Sequence, residues 1–223
     1  LLHESLRRTL GKHVTQKGSL VSPERLRFDF SHNKPINEDE MIKINAQVNE
    51  IVDLSSDVQT RIMTPKEAVK MGALALFGEK YGEEVRVVFM GKENNNFFST
   101  ELCGGTHVKN TKEIGKFKVV RQSSIASGVR RVEALRDKQL EEFENYKYDE
   151  KKEKSKEAFE TIKLIMGKLK DLGEKPKLSE KDINLEENLT PKIKILTEQL
   201  NNAQVKFILN DAKMNKIKDI KIK

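Results

Sequence analysis

One cysteine in 223 residues excludes any intrachain disulfide. A lone thiol of this kind is buried ballast, a metal ligand or a nucleophile. No apolar run approaches the length needed to cross a bilayer. No secretory leader is expected, because Leu1-Leu2-His3-Glu4-Ser5-Leu6-Arg7-Arg8 is already amphipathic and charged. The expected compartment is therefore reducing and cytoplasmic. No internal repeat suggests a solenoid, and no ATP site is visible. Hydrophobic residues make up only 36% of the chain and charged residues 35%. That is little apolar material for one large globule, so part of the chain is expected as solvent-rich helix.

What the chain does carry is a basic excess, with a net charge of +7. It divides almost evenly between residues 1–135 and 136–223. Such a balance suits nucleic-acid binding and equally suits simple solubility. Leu2, Leu6 and Leu10 share one helical face that Gly11 terminates. No capping residue precedes that helix, so the same domain is expected to extend upstream. Arg25 to Phe30 alternates as a half-buried strand does. Asn37 and the acidic residues after it open a helix that buries Met41, Ile44, Val48 and Ile51. Thr64-Pro65 opens another, expected to reach about Phe77-Gly78. Residues 84–90, 115–122 and 128–135 read as strands. The pattern is α+β, an antiparallel sheet with packed helices.

Near residue 136 glycine becomes rare and long helical periods begin. Phe159, Ile162, Met166 and Leu169 lie on one face. Leu189, Ile193, Leu196, Leu200, Ala203 and Phe207 form a heptad seam. Residues 173–188 between them read as the turn of a helical hairpin. The tail is then an antiparallel helix pair or a coiled-coil linker. Ile217 to Lys223 alternates like the opening of a strand.

The most distinctive segment is Glu101-Leu102-Cys103-Gly104-Gly105-Thr106-His107. Two glycines disfavour helix and favour a tight turn presenting both ligand-type side chains to one centre. A thiolate and an imidazole suit zinc, although Cys-x3-His as bare spacing is more often chance. Zinc needs three or four protein ligands, and His3, His13 and His32 form no pair at helical spacing. Thr15 to Ser19 reads as a polar loop, in which Gln16 offers both a donor and an acceptor. Arg130 and Arg131, adjacent on a strand, point to opposite faces. One is suited to phosphate and the other to an ion pair.

Five ordered blocks carry a family resemblance: residues 14–21, 26–32, 72–81, 99–107 and 127–134. Together they resemble the editing domain of alanyl-tRNA synthetases, densely over residues 1–135 and loosely in the tail. The resemblance implies zinc held by Cys103 and His107 with two further histidines upstream of Leu1. His3 matches the non-ligand histidine that follows them. It implies hydrolysis of serine or glycine mischarged onto tRNA(Ala). Gln16 is then a pocket residue, Thr106 a nearby hydrogen-bonding group, and Lys17, Arg130 and Arg131 contacts to the tRNA acceptor end. Residues 136–216 correspond to a helical linker, and 217–223 to the start of a C-terminal domain through which oligomers form. ATP use and alanine ligation belong to an N-terminal domain outside this chain. Weighed against this are a free-standing trans-editing deacylase, a threonyl-tRNA synthetase relative, and a non-catalytic tRNA-binding or coiled-coil module.

Overall fold

The computed structural model describes residues 1–74, 82–93 and 96–221. The chain divides into two units, Leu1–Phe143 and Glu144–Lys223. In the first, α1 (Leu2–Leu10), β1 (Gln16–Val21), β2 (Leu26–Ser31), α2 (Glu38–Asp53), β3 (Gln59–Met63) and α3 (Pro65–Lys70) come first. They are followed by β4 (Val85–Glu93), β5 (Asn96–Leu102), β6 (Phe117–Ala126) and β7 (Val129–Arg136). The strands form two antiparallel sheets, ordered β1-β2-β7-β6 and β3-β4-β5. This is the α+β architecture expected. The helix α4 (Asp137–Asp171) begins directly after β7 and crosses the division between the units.

The four-stranded sheet packs its apolar face on α1 and α2. Leu2, Leu6, Ile44 and Val48 meet Phe28, Phe30 and Val132 there. Leu10 is only partly buried at the margin. Gly11, at φ 120°, ends α1 with its N–H on the Arg7 carbonyl. The start of α2 is a reciprocal cap: Asn37 accepts from the Glu40 N–H while the Glu40 carboxylate accepts from the Asn37 N–H. Further along α2, Asn45 and Asn49 hydrogen-bond the backbone of the edge strand β6 at Val119 and Phe117. Helix side chains thereby satisfy groups that a sheet edge leaves open.

Several elements depart from expectation. Residues 16–21 are a strand, not a loop, and β3 and β5 were not foreseen. The helix opened by Thr64 stops at Lys70, where Met71 and Gly72 (φ 80°) turn the chain. Residues 75–81, which include the expected helix end at Phe77-Gly78, lie outside the described residues. Strand β2 does not alternate cleanly, because Asp29 is buried between Phe28 and Phe30. Arg131 on the neighbouring strand explains this by donating two hydrogen bonds to its carboxylate, at 2.7 and 2.8 Å.

Within β4, Gly91 sits at φ 72° and faces α2. A Cβ there would collide with the Ile51 side chain and stand 3.0 Å from Phe98. Gly91→Ala is expected to destabilise the first unit by about 2–4 kcal/mol, combining backbone strain with overpacking. Urea denaturation followed by circular dichroism would register it as a lowered midpoint at constant slope.

The second unit is helical, as expected, with α4 joined to α5 (Thr190–Lys221). Ile162, Met166 and Leu169 of α4 pack on Leu189, Leu196, Leu200 and Ala203. The seam fades at Phe207, which is exposed. The two helices run in the same direction, not antiparallel. Glu186 to Thr190 share a cleft with Lys147 to Ala158 near the middle of α4. At the other end Lys206 pairs with Glu174, just beyond the last residue of α4, at 2.7 Å. Residues 172–189 therefore do not make a tight turn. They return along α4 as a strap, with Leu172, Leu178 and Ile183 packed on the helical core. The Ile217 to Lys221 backbone is helical, which replaces the expected strand. No helix among the described residues is long and apolar enough to cross a membrane.

Candidate functional site

A cavity of about 610 Å³ opens between the two sheets of the first unit, beside α1. That size suits a nucleoside carrying a small acyl group. Its apolar walls include Leu26 and Phe28 of one sheet and Val88 and Met90 of the other. Its polar groups include His3, Gln16, Glu101, Cys103 and His107.

Cys103 follows directly on β5, and its N–H donates to the Arg86 carbonyl at 3.1 Å. The Arg86 guanidinium, from β4, donates to the carbonyls of Cys103 at 2.7 Å and Gly105 at 2.6 Å. One charged side chain thus fixes the whole turn. Neither Gly104 nor Gly105 takes a left-handed φ, so the turn is not one that only glycine can make. It nevertheless brings Cys103 and His107 to one cavity. Cys103 is half-buried and its thiol is free. Withdrawal from water, then the Arg86 charge, lowers the His107 pKa and favours its neutral, lone-pair-bearing form.

Gln16 reaches the same cavity because β1 is irregular at its start. The register slips between Gln16 and Gly18, and such a bulge re-aims side chains. The Gln16 amide donates to Ser19 Oγ at 3.3 Å. Lys17 falls in the irregularity and is exposed away from the walls. Thr106 is likewise exposed and not a wall residue. Arg131 is committed to Asp29. Arg130 donates to Gln122 at 3.1 Å, while its Nε is buried without a partner among the described residues. Neither arginine lines the cavity.

Three participants have no role legible in the sequence alone. His3 is buried, and its Nδ1 lies 3.2 Å from Glu101 Oε2. Ser99 donates to the other Glu101 oxygen at 2.8 Å. Burial opposes the Glu101 charge, but the hydrogen bonds from His3 and Ser99 favour it and hold the pKa below the ordinary carboxylate value. His3 Nε2 is buried and has no hydrogen-bond partner among the described residues. Away from the cavity, His13 Nε2 and His32 Nδ1 meet at 2.9 Å, which their separation in sequence concealed. Among the described residues no three His, Cys, Asp or Glu side chains come close enough to hold a metal together. Cys103 and His107 have the donor chemistry zinc prefers, and would amount to two of the three or four ligands it needs.

Residues 85–133 match a family model described as the threonyl and alanyl tRNA synthetase second additional domain. An alanine-tRNA ligase of Parvibaculum lavamentivorans is 58% identical over 138 residues, covering 60% of this chain and 16% of that protein. One from Mesorhizobium japonicum is 48% identical over 192 residues, 82% of this chain and 21% of that protein. The second match is longer than the first unit, so the similarity continues into the helical one. The chain thus spans only about a fifth of the length of these relatives.

Proposed function

Because the chain belongs to the alanyl-tRNA synthetase family, we propose that its first unit is an editing site. It hydrolyses the ester that joins serine or glycine to tRNA(Ala). The chemical need is general. A pocket for alanine discriminates poorly against serine, which adds one hydroxyl, and against the smaller glycine, so a second, hydrolytic site removes the errors.

The observation that carries this reading is the convergence of Gln16, Cys103 and His107 on one cavity of suitable size. Cys103 and His107 would hold zinc together with two histidines from outside this chain. Zinc there would supply a Lewis acid for the ester carbonyl or a more acidic water. The chain's own residues do the rest. Arg86 fixes the ligand turn, and Gln16 offers a donor and an acceptor to the aminoacyl group. Lys17, exposed beside Gln16, would meet acceptor-end phosphate outside the cavity, with Arg130 as a second cation and Thr106 as a further hydrogen-bonding group. Arg131 serves the fold instead. The helical unit is a linker, and alanine activation with ATP lies in the other four-fifths of the synthetase.

The test is deacylation by this stretch set within a full-length alanine-tRNA ligase, offered serine-, glycine- and alanine-charged tRNA(Ala). Serine and glycine esters are expected to be cleared and the alanine ester spared. Rates equal to buffer on all three would overturn the reading.

A further inference from the structure

We infer that Glu101 is the residue that receives the α-ammonium group of the aminoacyl ester in the cavity, a specificity-determining contact; this rests on the editing reading above. The strand register aims it there. Side chains alternate along β5, so Ser99 and Glu101 share one face with Cys103 just past the strand end, and all three line the cavity. The neighbouring strand agrees. Val88 pairs with Glu101 and Met90 with Ser99, and both are wall residues too. Val87 and Phe89, on the opposite face of β4, pack instead with Ala68 of α3. The Glu101 side chain is 24% exposed, so a ligand in the cavity can touch it.

The carboxylate is held in place and keeps capacity for a ligand. His3 Nδ1 lies 3.2 Å from one oxygen, and Ser99 donates to the other at 2.8 Å. Both of these neighbours are buried. Each carboxylate oxygen accepts at two positions, so one contact on each leaves a second position on each. The other charged wall residues are placed differently. Arg7 donates to the carbonyls of Lys12 and Val14, Arg86 to those of Cys103 and Gly105, and Glu84 is exposed. An aminoacyl ester brings an α-amino group that is protonated in good part near neutrality. Between walls such as Leu26, Phe28, Val88 and Met90, an ammonium is costly unless it meets an opposite charge and a hydrogen bond. A carboxylate already fixed there supplies both. The amino group is what serine and glycine share, and what an N-acylated or hydroxy-acid ester is without. Glu101 thus admits free aminoacyl esters as a class and leaves the choice among side chains to the other walls.

The test uses two hydrolysis-resistant amides of 3′-amino-3′-deoxyadenosine, titrated calorimetrically into the ligase carrying this stretch. One bears a seryl group and the other a 3-hydroxypropanoyl group, which differs only in having hydrogen where serine has its amino group. The unmodified protein is expected to prefer the seryl compound by about ten- to a hundredfold, the value of one hydrogen bond between charged groups. Glu101→Gln keeps the shape and removes the charge. Its preference is expected to fall to near unity, with the loss borne by the seryl compound and with zinc content unchanged. Glu101→Asp keeps the charge on a shorter stem and is expected to restore part of the preference. A preference unchanged in Glu101→Gln would overturn the assignment, as would equal binding of both amides by the unmodified protein. Loss of zinc from Glu101→Gln together with both affinities would also overturn it, by making the carboxylate a support of the metal site. Binding of neither amide by the unmodified protein would instead overturn the editing reading itself.

Discussion

Cys103→Ala, made within a full-length alanine-tRNA ligase carrying this stretch, is expected to slow clearance of serine-charged tRNA(Ala) about a hundredfold or more. Loss of an outer-shell partner alone typically costs about 10–100-fold in metal affinity or activity, and loss of a direct ligand exceeds it. Alanine charging is expected to persist, because the reading proposed above assigns activation to the rest of the synthetase. The fold is expected to persist too. Cys103 is only half-buried, and its backbone, not its thiol, is what Arg86 holds. Zinc content by elemental analysis should fall in step with clearance. Normal clearance with normal zinc would remove Cys103 from the site.

The second large effect falls on stability. Asp29 is 5% exposed and takes two short hydrogen bonds from Arg131. The Arg131 hydrogen bonds outweigh burial and hold its pKa below the ordinary carboxylate value. Arg131→Ala leaves that charge buried with Arg27, at 3.8 Å, as its remaining cation among the described residues. A cost of about 2–4 kcal/mol is expected, somewhat less than for a wholly buried pair because the Arg131 side chain is 28% exposed. The sign with pH follows from linkage. A carboxylate whose folded pKa is lowered stabilises the fold above its unfolded pKa, and that contribution is lost as pH falls toward the folded value. The unmodified protein and Arg131→Ala are therefore expected to differ most near neutrality and to converge in acid below about pH 4. Denaturant midpoints measured across that range would show it, and a gap constant with pH would mean the arginine acts by packing alone.

The same pair shows where the sequence stops being legible. Alternation in Arg25 to Phe30 announces a strand, but not that its central carboxylate lies inside, since the partner is 102 residues away. Helices with caps and a clear period, such as α2, are readable because their signals are local. Strands β3 and β5 are not, since β3 is mostly exposed and β5 lacks a regular alternation. Gln16 to Ser19 looks like a loop because glycine and polar residues occupy an irregular edge strand. The site divides in the same way. Cys103 and His107 are four residues apart and declare themselves, whereas His3 and Glu101 are 98 apart and meet only through the fold. Lys17 and Thr106 sit beside true wall residues in sequence and still point elsewhere. In the tail, the heptad seam gives the two packed faces but not their relative direction. That depends on Leu178 and Ile183 in the strap, two apolar residues in a segment otherwise read as a turn.

The parallel course of α4 and α5 also fixes how the helical unit responds to tension. An antiparallel pair pulled from its free ends opens like a zipper, one layer at a time under small force. Here the start of α4 and the end of α5 lie at opposite ends of the pair, so pulling on them loads the apolar seam from Ile162 to Ala203 in shear, with every layer resisting together. The strap cannot lengthen until that seam slips. The unit therefore behaves as a stiff rod under load rather than a slack tether, and it keeps its length until it fails.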